Sequence, residues 1–78
     1  MSIEEICVKY GISNYTINDD GSVDVDGDVD LNDCELTELP LTFNKVTGTF
    51  NCDDNKLTDL KGSPKSVGVF FCGSNNLT

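Results

Sequence analysis

The segment Phe50-Asn-Cys-Asp-Asp-Asn-Lys-Leu-Thr58 carries the strongest structural signal in the chain, because two further versions of it stand at nearly constant spacing. Phe70-Phe-Cys-Gly-Ser-Asn-Asn-Leu-Thr78 begins 20 residues after it, and Val29-Asp-Leu-Asn-Asp-Cys-Glu-Leu-Thr37 begins 21 residues before it. Self-similarity at such a period is the signature of a solenoid. We therefore expect short parallel strands, one per repeat, with their exposed face available for recognition.

Each repeat places two inward-pointing residues two positions apart on a strand: Val29/Leu31, Phe50/Cys52 and Phe70/Cys72. Asn55 and Asn75 follow three residues later, and we expect their side-chain amides to bond the backbone of the turn and of the adjacent coil. Cys34 holds this position in the first repeat. A second apolar row comes from leucines further on (Leu36, Leu39, Leu57 and Leu60). The connecting segments are short and contain Pro and Gly, which predicts extended or single-turn 3₁₀ structure.

The N-terminal third is predicted to cover the open end of the core. Ser2 and Glu5 form a capping box before apolar residues at helical spacing, which indicates a short helix that Gly11 ends. Alternation on both sides of Asp19-Asp20-Gly21 predicts a β-hairpin. The chain is then one domain, 1–78, with a cap helix at 1–12, a cap hairpin at 14–26 and about two and a half repeats at 27–78.

These residues resemble the leucine-rich repeat pattern L-x-x-L-x-L-x-x-N/C-x-L. More narrowly, the run from Tyr15 to Leu31, followed by F-x-C-x-x-N-x-L-T units separated by Leu-Lys-Gly-Ser-Pro-Lys, is similar to the leucine-rich-repeat proteins of tailed bacteriophages. The resemblance covers nearly the whole chain. It implies a mainly β fold with an N-terminal cap helix, in which a short leucine-rich-repeat solenoid of parallel strands follows the hairpin. Members of the family usually carry further copies of the repeat.

The composition is that of a small acidic protein with a net charge of −9 and a pI near 4.1. Nucleic acids and anionic membranes attract basic surfaces, so the charge argues against direct binding to either. We find neither an apolar run of membrane-spanning length nor a signal peptide, because Glu4 and Glu5 stand where a basic segment would be needed. These features predict a cytoplasmic protein, located in the host cytoplasm if a phage encodes it.

The four cysteines are expected to act as small buried hydrophobes. Cys52 and Cys72 occupy the same inward strand position in consecutive repeats. The chain has no histidine and no C-x-x-C pair, which argues against zinc. We expect no metal and no other cofactor.

Four aspartates, Asp24, Asp26, Asp28 and Asp30, alternate with Val25, Gly27 and Val29 and are called the acidic row below. In extended chain their side chains would stand about 6.6 Å apart on one face. The row is open to two interpretations, a solvated strand face that discourages edge pairing and a mimic of a phosphate backbone. The segment from Asn18 to Asp24 also matches the middle of a calcium loop. Thr16 and Gly27 stand at the first and last ligand positions, so a hairpin turn explains the segment better.

The candidate binding surface consists of the positions between the inward strand residues, and we call it the strand face. It runs from acidic to apolar. Phe71 stands out because Asp30 and Asn51 hold the equivalent positions, and an exposed aromatic beside Val69 fits an interface anchor. The alternative is that Phe71 folds over the end of the core. The strand face is formed by Asp28, Asp30, Asn32, Thr49, Asn51, Asp53, Val69, Phe71 and Gly73.

The sequence favours binding over catalysis, because a shallow solenoid without histidine offers no evident base or deep pocket. The leading hypothesis is a phage accessory protein that binds a host protein and inhibits or redirects it. One alternative is a nucleic-acid mimic that blocks a basic groove with its acidic row. Another is a structural role through self-association, for which a homodimer at the C-terminal strand edge is expected.

Overall fold

A computed structural model describes residues 2–77 as a mainly β protein with one short helix and a curled mixed sheet that forms a half-barrel. The five strands belong to a single sheet, in which β4 is central. The elements in chain order are α1 (Ile3–Lys9), β1 (Tyr15–Ile17), β2 (Val23–Val25), β3 (Val29–Asp30), β4 (Phe43–Asn51) and β5 (Ser66–Phe71).

Helix α1 begins with the capping box that the sequence predicts. The Glu5 backbone N–H donates to Ser2 Oγ, and the Ser2 N–H donates to a Glu5 carboxylate oxygen, both at 3.1 Å. These bonds hold the pKa of Glu5 below its ordinary value. The chain leaves the helix through Gly11 at a φ of 69°, and Ile12 then donates to the Cys7 carbonyl at 2.8 Å. Cys7 and Ile12 are both buried, so they attach the helix to the core.

Strands β1 and β2 form the predicted antiparallel hairpin, with Tyr15 opposite Val25 and Ile17 opposite Val23. Gly21 lies in the connecting turn at a φ of 87°, a conformation that glycine adopts without steric cost. Val23 and Val25 point into the core, whereas Thr16 and Ile17 on the edge strand are exposed. The hairpin therefore forms one end of the sheet.

The remaining pairings are parallel, and their register equals the spacing of the sequence repeat. Val29 lies beside Phe50, and Phe50 lies beside Phe70, which are offsets of 21 and 20 residues. β4 is longer than one repeat strand because its first half, from Phe43 to Val46, pairs with the hairpin strand β2. The prediction from the sequence alone did not include this first half, whose apolar residues Phe43 and Val46 are fully buried.

A column of three glycines crosses the sheet at the same offsets. Gly27, at a φ of 140°, separates β2 from β3, and its carbonyl accepts a hydrogen bond of 2.9 Å from the Gly48 N–H. A Cβ atom on Gly68 would stand 2.8 Å from the carbonyl oxygens of Gly48 and Thr47. The strands thus approach one another at a point where a side chain on Gly68 does not fit, and the β4–β5 register shifts there, between Val46 and Thr49.

The core is continuous from the hairpin to β5 and is centred on a column of aromatic rings. The Phe43 and Phe50 rings meet edge to face at 5.0 Å, and the Phe50 and Phe70 rings are stacked at 5.3 Å. Phe43 and Phe50 are fully buried, but Phe70 is only partly buried. Other buried apolar residues surround this column (Val23, Val25, Val29, Leu31, Leu39, Leu41, Val46, Cys52 and Leu57).

Asn55 joins one turn of the chain to the turn before it, as the repeat pattern predicts. Its Oδ1 accepts from the Cys34 and Leu36 N–H groups at 3.0 Å, and its Nδ2 donates to carbonyls of both repeats, including Leu31 O at 2.9 Å. Asn75 repeats the arrangement, accepting from the Leu57 N–H and donating to Cys52 O. Asn55 is buried, whereas Asn75 is only half-buried.

The turn before each of these positions has a left-handed backbone. Asp33, Asp54 and Ser74 stand at the same place in the three repeats and have φ values of 52°, 57° and 52°. Short polar residues tolerate this conformation better than apolar ones because their side chains can bond the local backbone. The connecting segments consist of bends and turns, with no 3₁₀ helix among residues 2–77.

The expectation for Cys34 was wrong. It is exposed, with its thiol 3.4 Å from the Asn32 carbonyl, to which it donates. The asparagines at the equivalent positions point back to bond the preceding repeat, but the first repeat is preceded by the hairpin. Cys7 and Cys52 are buried, as expected, and Cys72 is intermediate.

Candidate functional site

The sheet brings the predicted strand face together as one surface. Strand pairing places Asp30 beside Asn51 and Asn51 beside Phe71, and it places Thr49 beside Val69. Each row therefore contains residues from consecutive repeats, as the sequence spacing predicts. At the end of the surface formed by β5, the side chains change from polar to apolar.

Val69 and Phe71 are the most exposed apolar side chains of the sheet. Their exposed fractions are 48% and 47%. Both belong to β5, where alternate residues point to the same side of the strand. Phe71 therefore does not fold over the end of the core, because its neighbour Phe70 takes the core-facing position.

The middle of the strand face is less exposed than the sequence suggested. Thr49, Asn51 and Asp53 are half-buried because the fold uses their polar groups. Asn51 Oδ1 accepts from the Asp53 N–H at 3.0 Å, and an Asp53 carboxylate oxygen accepts from the Gly73 N–H. These bonds fix polar groups that a partner would otherwise have to order.

Each carboxylate of the acidic row accepts a hydrogen bond within the fold. Asp24 accepts from the Asn44 amide at 2.9 Å, and Asp26 accepts from the Thr47 hydroxyl at 3.1 Å. Asp28 accepts from the Thr49 N–H at 2.8 Å, and Asp30 accepts from the Asn32 N–H at 3.0 Å. Asp24 is half-buried, and the other three are exposed. The row therefore helps to join the first strands to β4 while it keeps three carboxylates in contact with solvent.

The segment that partly matches a calcium loop forms the hairpin turn. Asp20 accepts from both the N–H and the hydroxyl of Ser22, at 2.9 and 2.6 Å, and these bonds hold the pKa of Asp20 below its ordinary value. Asn18 donates to Asp24 at 3.2 Å. Within residues 2–77, no group of three or more His, Cys, Asp or Glu side chains is placed to hold a metal ion.

The thiols differ in their surroundings. Burial raises the pKa of Cys52 to about 11, and the neighbouring Cys72 adds to the shift. Burial also raises the pKa of Cys7, to which the charge of Glu4 contributes. Cys52 donates to the Phe71 carbonyl at 3.3 Å, so its thiol lies between β4 and β5.

A separate cavity of about 440 Å³ lies beside helix α1. Its lining combines apolar residues, among them Ile3, Ile6 and Leu41, with the charged residues Glu38 and Lys61. None of its lining residues belongs to the strand face. The cavity is formed where the helix meets the loops that connect the strands.

The open side of β5 is the feature that the sequence reading described least completely. Within residues 2–77, β5 pairs only with β4. The Phe71 carbonyl faces β4, since it accepts from the Cys52 N–H at 2.9 Å. Backbone groups alternate in direction along a strand, so the N–H and C=O of Phe70 face away from β4. The sequence signal for this was the lack of any charged residue from Ser66 to Gly73.

Comparisons with protein-family models, with curated proteins and with solved structures found no match to this chain. Among the described residues, no helix has both the length and the apolar character needed to span a membrane.

Proposed function

We propose that this protein is a binding module, a short leucine-rich-repeat solenoid of the bacteriophage type that binds a host protein and inhibits or redirects it. The repeated register of the strands and the two bridging asparagines support this type of repeat. The proposed place of action is the host cytoplasm, and no catalytic role is proposed.

The observation that carries the proposal is the pair of exposed side chains Val69 and Phe71. Two neighbouring apolar side chains on a sheet surface lose free energy to water that a partner can recover by covering them. Full burial of one such side chain is worth about 1.5–3 kcal/mol, which is the size of an interface anchor. Their rigid strand keeps the entropic cost of binding low.

The surroundings of the pair indicate the charge of the partner. The strand face continues from β5 through half-buried polar residues to the exposed carboxylates of Asp28 and Asp30. A partner with an apolar pocket and a basic rim would complement this surface. The net charge of −9 would speed the encounter with such a partner at low ionic strength.

The test is affinity capture from bacterial host lysate with the unmodified chain and a variant that copies the preceding strand. Phe71→Asn with Val69→Thr introduces the residues that β4 carries at the paired positions Asn51 and Thr49. We therefore expect the variant to fold, as circular dichroism would verify, and to lose the captured protein. A matched control is Val8→Asn, because Val8 is 80% exposed and lies on the helix.

The salt dependence of capture separates the anchor from charge mimicry. A complex anchored on Phe71 should persist at raised salt, while one formed by the acidic row should weaken steeply. Loss of capture with Val8→Asn, or retention with the β5 variant, would contradict the proposal. A protein captured through the acidic row alone would support the nucleic-acid mimic instead.

A further inference from the structure

The outer side of β5 presents backbone groups that have no partner among residues 2–77. Phe70 turns both its N–H and its C=O to this side, as the direction of the Phe71 carbonyl requires. The preceding repeats indicate what such a side can accept, because Leu31 and Cys52 each donate to the next strand, at 2.7 and 2.9 Å. The outer side of β5 is therefore geometrically ready for another strand, and we call it the open edge.

The charge distribution favours a second copy of the chain at this edge. Two chains of net charge −9 repel each other, so they can meet only where neither presents carboxylates. Ser66 to Gly73 is such a segment, since it contains no charged residue. The opposite edge of the sheet is less suitable, because β1 has only three residues and leads into Asp19 and Asp20.

The aromatic column gives the second observation. Phe43, Phe50 and Phe70 follow one another across the sheet, but only the first two are fully buried. The outer side of the Phe70 ring lies at the open edge, where an apolar group would complete the column. A second copy brings an identical ring to this position.

We propose that two chains pair antiparallel through β5, with Phe70 on the twofold axis. The N–H of each Phe70 then donates to the C=O of the other, which is the hydrogen-bonded pair of an antiparallel ladder. The register follows from that pair. Val69 of each chain lies opposite Phe71 of the other, so the two exposed apolar side chains become cross-strand neighbours.

This arrangement does not rest on the proposed host partner, but it would affect the surface that binds one. The two strand faces would join side by side, with Val69 and Phe71 of both chains at the centre and the exposed carboxylates at the two far ends. A closed twofold pair uses up both open edges, so growth stops at the dimer.

Sedimentation of the purified chain tests the pairing. The average mass should rise from 8.5 kDa towards twice that value as the concentration increases. Added salt should strengthen the association, because it screens the repulsion between the two acidic chains. Val69→Asp should abolish the dimer, because it places a carboxylate opposite the Phe71 ring in both halves. Val8→Asp makes the same change outside the edge and should leave the dimer unaffected.

Amide hydrogen exchange supplies a readout that needs no variant. Exchange at the Phe70 N–H should slow as the chain concentration rises, while exchange at Cys52, which already donates within the sheet, should show a much smaller change. A chain that remains at 8.5 kDa up to about 1 mM in high salt would overturn the proposal. So would a Val69→Asp variant that is folded and still dimeric.

Discussion

Asn55 does more for the fold than any other polar side chain described here. Its amide makes five hydrogen bonds, all to backbone groups, and these groups come from two consecutive repeats. The side chain is buried, so water cannot replace it if it is removed. Asn75 makes four such bonds but is half-buried at the end of the sheet.

Replacing Asn55 by Ala should lower the free energy of unfolding by about 3 kcal/mol, because several backbone groups lose their partner in a buried place. Asn75→Ala should cost about half as much, since water can reach part of that site. Urea unfolding curves would measure both values. The control is Asn76→Ala, an exposed neighbour whose side chain makes no hydrogen bond in the described part of the chain. Equal losses for Asn55 and Asn76 would contradict the role given to Asn55.

Cys52 predicts a loss of stability in alkaline solution. Burial raises its pKa from an ordinary value of 9.0 to about 11, so the unfolded chain releases the thiol proton at lower pH than the folded chain does. Between these two values the unfolded state binds fewer protons, and the free energy of unfolding must fall as pH rises. Melting temperatures from pH 8 to about 11 should decline less steeply for Cys52→Ala than for the unmodified chain. Parallel declines would show that another group is responsible.

The glycine column sets how closely neighbouring strands approach. Gly68→Ala should destabilise the fold by about 1–3 kcal/mol, because the new methyl group would stand 2.8 Å from backbone oxygens of β4. Gly73→Ala is a matched control, since its nearest neighbour would be an Asp53 carboxylate oxygen at 3.5 Å, an ordinary contact. Thermal unfolding of the two variants would compare them. A Gly68→Ala variant as stable as Gly73→Ala would mean that the strands separate without cost.

The hairpin and the repeat strands could be predicted because their signals are local. Alternating residues around Gly21 specify the hairpin, and residues such as Phe50 recur at a fixed interval. The first half of β4 could not, because Phe43 and Val46 lie outside the repeat and pair with β2 far away in sequence. The glycines 27, 48 and 68 were visible at the repeat interval, but their close approach depends on the strand register.

The strand face was predicted in outline and not in detail. Repeat spacing was sufficient to place Phe71 beside Asn51, and this pairing is present. Spacing contains no information on which polar groups the fold itself consumes. Asp53 is an example, because its bond to the Gly73 N–H forms only when β4 and β5 are in register. Exposure at such positions therefore needs coordinates.

The whole molecule carries a charge imbalance that opposes compaction. Nine of its fourteen acidic residues lie between Asp19 and Glu38, against five lysines in the entire chain. Mutual repulsion is weaker in the expanded chain, so screening should favour the folded state.

The melting temperature should therefore rise with sodium chloride at a protein concentration low enough to keep the chain monomeric. Asp33→Asn should reduce this salt dependence, because it removes one charge from the acidic run. The change preserves shape, and asparagine tolerates the left-handed backbone that Asp33 adopts. A matched variant outside the run is Asp59→Asn, for which we expect a smaller reduction. A melting temperature that falls with salt would refute this account of the charge.

The bridging asparagines also bear on the order in which the chain assembles. Asn55 reaches back to Leu31, Cys34 and Leu36, and Asn75 reaches back to Cys52 and Leu57, so each turn of chain closes a loop of roughly the same length. The entropic cost of closing such loops hardly changes from one turn to the next. On the ribosome, each new turn would find its docking site already synthesised. The chain is thus suited to fold in the order in which it is made, with every turn completing the hydrogen bonds of the one before.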